Sequence, residues 1–114
     1  MKLADTLAGL TRIPGVRGAL IVSRDDGLVV ADTLMEGING AAVAALAASL
    51  AGRMRGVTAV LGQPEPVMMY LAGSGGMLLA APGANGLLVV AVAAPEVNTG
   101  ELRLLLLDAA AQAT

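Results

Sequence analysis

Apolar positions fall along the chain in two rhythms, one of three and four residues and one of short unbroken runs. Leu3, Leu7 and Leu10 are spaced by four and three, so residues 3 to about 12 form one stripe of a short helix, which Ile13 extends before Pro14-Gly15 stops it. Val16 to Arg24 then reads as a strand. Asp25-Asp26-Gly27 reads as a hairpin turn, because Asp tolerates the left-handed region and Gly prefers it. Leu28 to about Asp32 returns as the second strand. A long segment from about Ile38 to Val60 is helical and has two stripes. Val43, Leu46, Leu50, Met54 and Val57 form a bulky face, while Gly40, Ala44, Ala48, Gly52 and Gly56 repeat every four residues roughly opposite.

No charge occurs between Gly37 and Gly52, so a helix apolar all round is expected to be covered on two sides. The bulky face is expected against a sheet, with the small stripe admitting a close neighbour. Gln63-Pro64-Glu65-Pro66 ends this helix, and strands are expected at Val67–Ala72, Met77–Ala81 and Leu87–Ala94. Pro95 closes the last strand. Asn98 or Thr99 caps a final helix whose Leu102, Leu105, Leu106 and Ala109 can face the sheet, with Leu104 and Leu107 widening that face. The fold class is α+β. Short hairpin links make the five-stranded sheet mainly antiparallel. Strands apolar on both sides place the central helix on one face and the terminal helices on the other. Residues 1–114 read as one module without linker or repeat.

Composition narrows the chemistry. Apolar residues make up 56% of the 114, and a formal charge of −2 excludes disorder on compositional grounds. Nine acids outnumber seven bases, which argues against a basic face for nucleic acid. With no His and no Cys there is no imidazole base, thiol nucleophile, disulfide or zinc finger, and no cofactor or metal site is expected. The uncharged stretch from Glu65 to Glu96 is cut by Gly73-Ser74-Gly75-Gly76 and Pro82-Gly83-Ala84-Asn85-Gly86 into strand-sized pieces, so no membrane insertion is expected. Asp5 follows Met1-Lys2-Leu3-Ala4 where a signal peptide would begin its apolar run, so the protein reads as soluble and cytoplasmic.

The apparent motifs are weak. Ala72-Gly73-Ser74-Gly75-Gly76 lacks the first Gly of a nucleophile elbow and fits a hairpin better. The glycine loops lack the Gly-Lys-Ser/Thr of a phosphate loop and join strand to strand. Asp25 and Asp26 read as turn residues. Arg53 and Arg55 suit the helix dipole near the end of the central helix, or contact a partner. Tyr70, the only aromatic residue, lies beside Met68 and Met69 in a core or dimer-interface position. An enzyme is not expected from this inventory.

The run Ile13-Pro14-Gly15-Val16-Arg17-Gly18-Ala19-Leu20-Ile21-Val22-Ser23-Arg24-Asp25-Asp26-Gly27-Leu28-Val29-Val30-Ala31-Asp32 resembles the opening hairpin of the Roadblock family, which includes dynein light chains. The Ala-rich helix, three later strands and Leu-rich last helix continue the likeness over almost the whole chain. The resemblance implies a homodimer in which third strands pair edge to edge and central helices pack together. It also implies a regulator or scaffold of a small Ras-like GTPase, since one bacterial relative activates the GTPase of a polarity switch. Gly40, Ala44, Ala48, Gly52, Arg53, Arg55, Val67, Met69, Tyr70 and Leu71 are then the expected dimer or partner interface. The chain departs from the family in being short, with little polar decoration on its central helix. Self-assembly without a GTPase partner, and a small-ligand sensor short of polar groups for its pocket, are the competing readings.

Overall fold

The computed structural model describes residues 3–113. Met1 and Lys2, part of the leader argument above, lie outside the described residues. The elements run α1 (Leu3–Thr11), β1 (Val16–Ser23), β2 (Val29–Leu34), α2 (Gly40–Val60), β3 (Met69–Gly73), β4 (Gly76–Pro82), β5 (Leu87–Ala93) and α3 (Thr99–Gln112). Order and type match the reading from sequence. Ends shift by one or two residues: β2 starts one residue later and runs two further, α2 starts at Gly40 rather than Ile38, and β3 starts at Met69, leaving Val67 in the linker behind Pro64 and Pro66.

The strands lie in the order β2-β1-β5-β4-β3, and each neighbouring pair is antiparallel. β1 and β5 occupy the middle, where Leu20, Ile21, Val89 and Val90 are fully buried. β2 and β3 are the two edges. The turn between β1 and β2 forms as its residues dictate. Gly27 sits at φ +71°, its N–H donates to the Ser23 carbonyl at 2.8 Å, and the Leu28 N–H donates to the Asp26 carboxylate at 3.3 Å.

Each face of the sheet has its own core. On one, Leu7 and Leu10 of α1 and Leu102, Leu106, Ala109 and Ala110 of α3 meet Ala19, Ile21, Leu79, Val89 and Ala91. On the other, Ala44, Ala47 and Ala51 of α2 meet Leu20, Val22, Ala80, Leu88 and Val90. The buried residues of the sheet alternate between the two cores, as the pleat requires. Among the described residues no polar or charged side chain is buried. Asn39 caps α2 by accepting from the Ala42 N–H at 3.1 Å, and Asn98 caps α3 by accepting from the Glu101 N–H at 3.0 Å.

Two expectations about helix faces are corrected. On α2 the small residues, not the bulky ones, face the sheet. Ala44, Ala47 and Ala51 recur at intervals of three and four and are buried, while Leu46 is 70% exposed and Val57 50%. Without large rings in the core, area is gained by bringing helix and sheet close, and alanine permits the closest approach. Val43, Leu50 and Met54 flank that contact half-buried. On α3, Leu102 and Leu106 point inward as expected, whereas Leu104 and Leu105 are exposed and Ala110 takes the inward place.

Candidate protein-docking surface

α2 sits over β1, β2 and β5 and leaves the β3–β4 side of the sheet less covered. A groove remains between its outer flank and the sheet, lined by Leu46, Ser49, Leu50 and Arg53 from α2 and by Leu71 and Leu78 from β3 and β4. Its walls are aliphatic apart from Ser49 and the Arg53 side chain. β3 supplies the floor edge: it pairs with β4 through Met69–Ala80, Tyr70–Leu79 and Leu71–Leu78, and its other side meets no strand among the described residues. No residue of β3 is charged, and Leu71 is 59% exposed. An uncharged open edge beside an apolar groove is a surface that ordinary monomers keep covered.

Only some of the interface residues expected from sequence are brought together. Arg53 and Leu71 line the groove. Met69 lies beneath it in the α2 core, and Ala44 is fully buried in the same core, so neither offers surface to a partner. Tyr70 is exposed rather than in the core, and it pairs with Leu79, which belongs to the α1–α3 core, so Tyr70 lies on the opposite face from Leu71. Val67 lies with Pro66, Pro82 and Leu107 in a separate hollow beside α3.

The small stripe of α2 is also divided. A Cβ on Gly40 would come within 2.7 Å of Leu34, and one on Gly27 within 3.6 Å of the Ala48 methyl and 3.3 Å of the Ala45 α-carbon. Gly40, Ala44 and Ala48 therefore admit the chain's own hairpin and sheet. Gly52 and Gly56 face open space. Leu46 and Leu50, assigned by periodicity to the sheet contact, form the groove instead. The signal that would have placed them was the Ala44-Ala47-Ala51 spacing, a tighter sheet-facing stripe than the bulky one.

Arg53 and Arg55 precede the last turn of α2, which contains no basic residue, so dipole compensation at the C-terminus does not explain them. Arg55 Nε lies 4.0 Å from Glu65 Oε1, the same oxygen that accepts from Arg24 Nη1. Arg24 extends from the end of β1, its side chain only 17% exposed. One carboxylate thus joins strand, helix and the α2–β3 linker. The Gly73–Gly76 segment is the hairpin between β3 and β4, with Arg17 Nη1 donating to the Gly75 carbonyl at 3.4 Å. Among the described residues no three Asp or Glu side chains gather as metal ligands.

By length and composition α2 would be able to cross a membrane, though little of it is buried in the fold. Its inner stripe of alanines is packed on the sheet.

The geometry has known counterparts. MglB of Myxococcus xanthus superposes with a TM-score of 0.86 at 18% identity, covering 96% of this chain and 89% of its own. A Roadblock/LC7 domain from Streptomyces avermitilis gives 0.86 at 20%, covering 96% and 92%. An MglB in a tetrameric arrangement gives 0.85 at 23%, covering 96% and 82%. At these identities the likeness establishes the fold alone. No curated protein matches the sequence. The family model of the Roadblock/LC7 domain matches residues 2–93, and the chain belongs to the Roadblock/LC7 family.

Proposed function

We propose that this chain is a non-catalytic docking module: two copies join through α2 and the β3 edge, and the paired helices hold a small Ras-like GTPase in the cytoplasm. The observation behind this reading is the groove of Leu46, Leu50, Leu71 and Leu78 beside an uncharged open strand, left uncovered in the single chain. Apolar area of this kind is stabilised by burial at about 25 cal/mol per Å². Backbone groups along β3 gain hydrogen bonds when a second β3 pairs with it. Membership of the Roadblock/LC7 family supports the GTPase as partner, and the tetrameric arrangement of one MglB supports self-association of this fold. The nucleotide chemistry belongs to the GTPase, and the module acts on it as a regulator or scaffold.

The test has two readouts. Light scattering on the purified protein should give a dimer, and Leu71→Asp should give a folded monomer. A Ras-like GTPase encoded beside the gene is then added in its GDP form and with a GTP analogue, and binding and hydrolysis are followed. A dimer that binds neither form makes the chain a self-assembly domain and ends the GTPase reading. Binding without acceleration makes it a scaffold. A monomeric wild type removes the basis of the proposal.

A further inference from the structure

The second open edge of the sheet differs in kind from the first. β2 pairs with β1 on one side, and its other side meets no strand among the described residues. Val22 stands opposite Val29 and Ile21 opposite Ala31, so Val30 is an extra, bulged residue. Beyond the bulge the ladder is regular. Ala31, Asp32, Thr33 and Leu34 face Ile21, Leu20, Ala19 and Gly18, and the Met35 N–H continues it to the Arg17 carbonyl at 2.9 Å. Ala31 to Met35 is therefore a straight edge long enough to template another strand.

Two properties define what fits there. Leu28, Val30 and Met35 are 64%, 48% and 62% exposed, an unusual concentration of aliphatic surface on one edge. Asp25, Asp26, Asp32 and Glu36 surround them, all exposed, and no Lys or Arg occurs between residues 25 and 52. The neighbouring cations on β1 are engaged elsewhere: Arg24 pairs with Glu65, and Arg17 donates to Gly75. A second copy of this chain is a poor occupant, because antiparallel β2–β2 pairing would bring Asp32 and Glu36 of both copies together. The uncharged β3 has no such obstacle.

We infer that the β2 edge receives an extended basic segment of a partner polypeptide as a sixth strand, with lysine or arginine side chains against Asp32 and Glu36 and aliphatic ones against Val30 and Met35. Main-chain hydrogen bonds to Asp32 and Leu34, whose N–H and C=O alternate away from β1, hold the segment, and charge complementarity selects it. The inference does not depend on the α2–β3 reading, since the two edges lie at opposite ends of the sheet.

The probe is a peptide of about ten residues alternating lysine and valine, titrated into isotope-labelled full-length protein and followed by amide NMR and hydrogen exchange. The amides of Ala31–Met35 should shift, and those of Asp32 and Leu34, which point away from β1, should exchange more slowly. Asp32→Lys with Glu36→Lys should weaken binding by about tenfold, consistent with two exposed pairs lost and two repulsions gained. Asp32→Asn with Glu36→Gln, which disturbs the fold least, should weaken it by a smaller factor. The same peptide N-methylated at alternate backbone nitrogens should not bind, which separates strand addition from charge attraction. Binding should survive in Leu71→Asp, so failure of the dimer leaves this result unaffected. Equal binding of a glutamate–valine peptide or of the N-methylated peptide, shifts confined to α2 and β3, or no shift at millimolar peptide would each overturn the inference.

Discussion

The two helical layers cover the same sheet by different means. α1 and α3 bury leucines, with Leu7, Leu10, Leu102 and Leu106 at or below 1% exposure, and cover the middle of their face. α2 buries alanines and keeps Leu46 outside. The inward leucines of α1 and α3 are spent on the fold, although α3 also leaves Leu104 and Leu105 outside. An alanine-faced helix seats close with little area and leaves larger side chains such as Leu46 outside. The difference shows that the outward apolar surface of α2 is a consequence of how the helix is seated.

The largest effect that would separate them comes from truncating leucines in each. Leu102→Ala should destabilise the fold by about 2–5 kcal/mol, whereas Leu46→Ala should stay within about 0.5 kcal/mol while weakening self-association. Denaturant titration at a concentration where the protein is monomeric, set beside light scattering, checks both; equal losses of stability would erase the distinction. Next in size is Ala47→Leu, which restores the bulky inward face expected from periodicity. Overpacking should cost about 1–3 kcal/mol, seen as a lower denaturation midpoint. A neutral or stabilising result would mean that α2 is free to rise off the sheet.

Asn39→Ala and Asn98→Ala remove the two N-caps and should each cost about 1 kcal/mol, again by denaturant titration. A markedly smaller loss at Asn39 would show that α2 is anchored by its alanines alone. The smallest effect concerns the hairpin that presses Gly27 onto α2. The hydrogen bond from the Ser23 side chain, then that from the Leu28 N–H, holds the Asp26 carboxyl below its ordinary value of 3.8. Because the folded value is the lower one, the stabilisation is present above the ordinary carboxylate range and is lost as pH falls through the depressed value. Asp26→Asn should flatten that acid limb slightly, measured as thermal midpoint against pH.

The order of elements, the antiparallel sheet and the two-layer arrangement were legible because turns and caps are local: Asp26-Gly27, Pro64, Asn98. The orientation of α2 was not legible. Its sequence offers two plausible inward stripes, and periodicity ranks the bulky one first because it weighs side-chain size rather than distance of approach. Only the sheet beneath, already filled by Leu20, Leu88 and Val90, decides for Ala44-Ala47-Ala51. The same ambiguity scattered the expected interface. Strand alternation around the Met69 start of β3 sends Tyr70 and Leu71 to opposite faces, which a list of neighbours in sequence does not reveal.

Glu65 gives the groove a property beyond its shape. By engaging Arg24 from the sheet and approaching Arg55 from α2, it ties down the linker that leads from one wall of the groove to the other, and Pro64 and Pro66 on either side stiffen it. The spacing between the walls is thus set before any partner arrives. A surface held in this way has less conformational freedom to lose when it is covered.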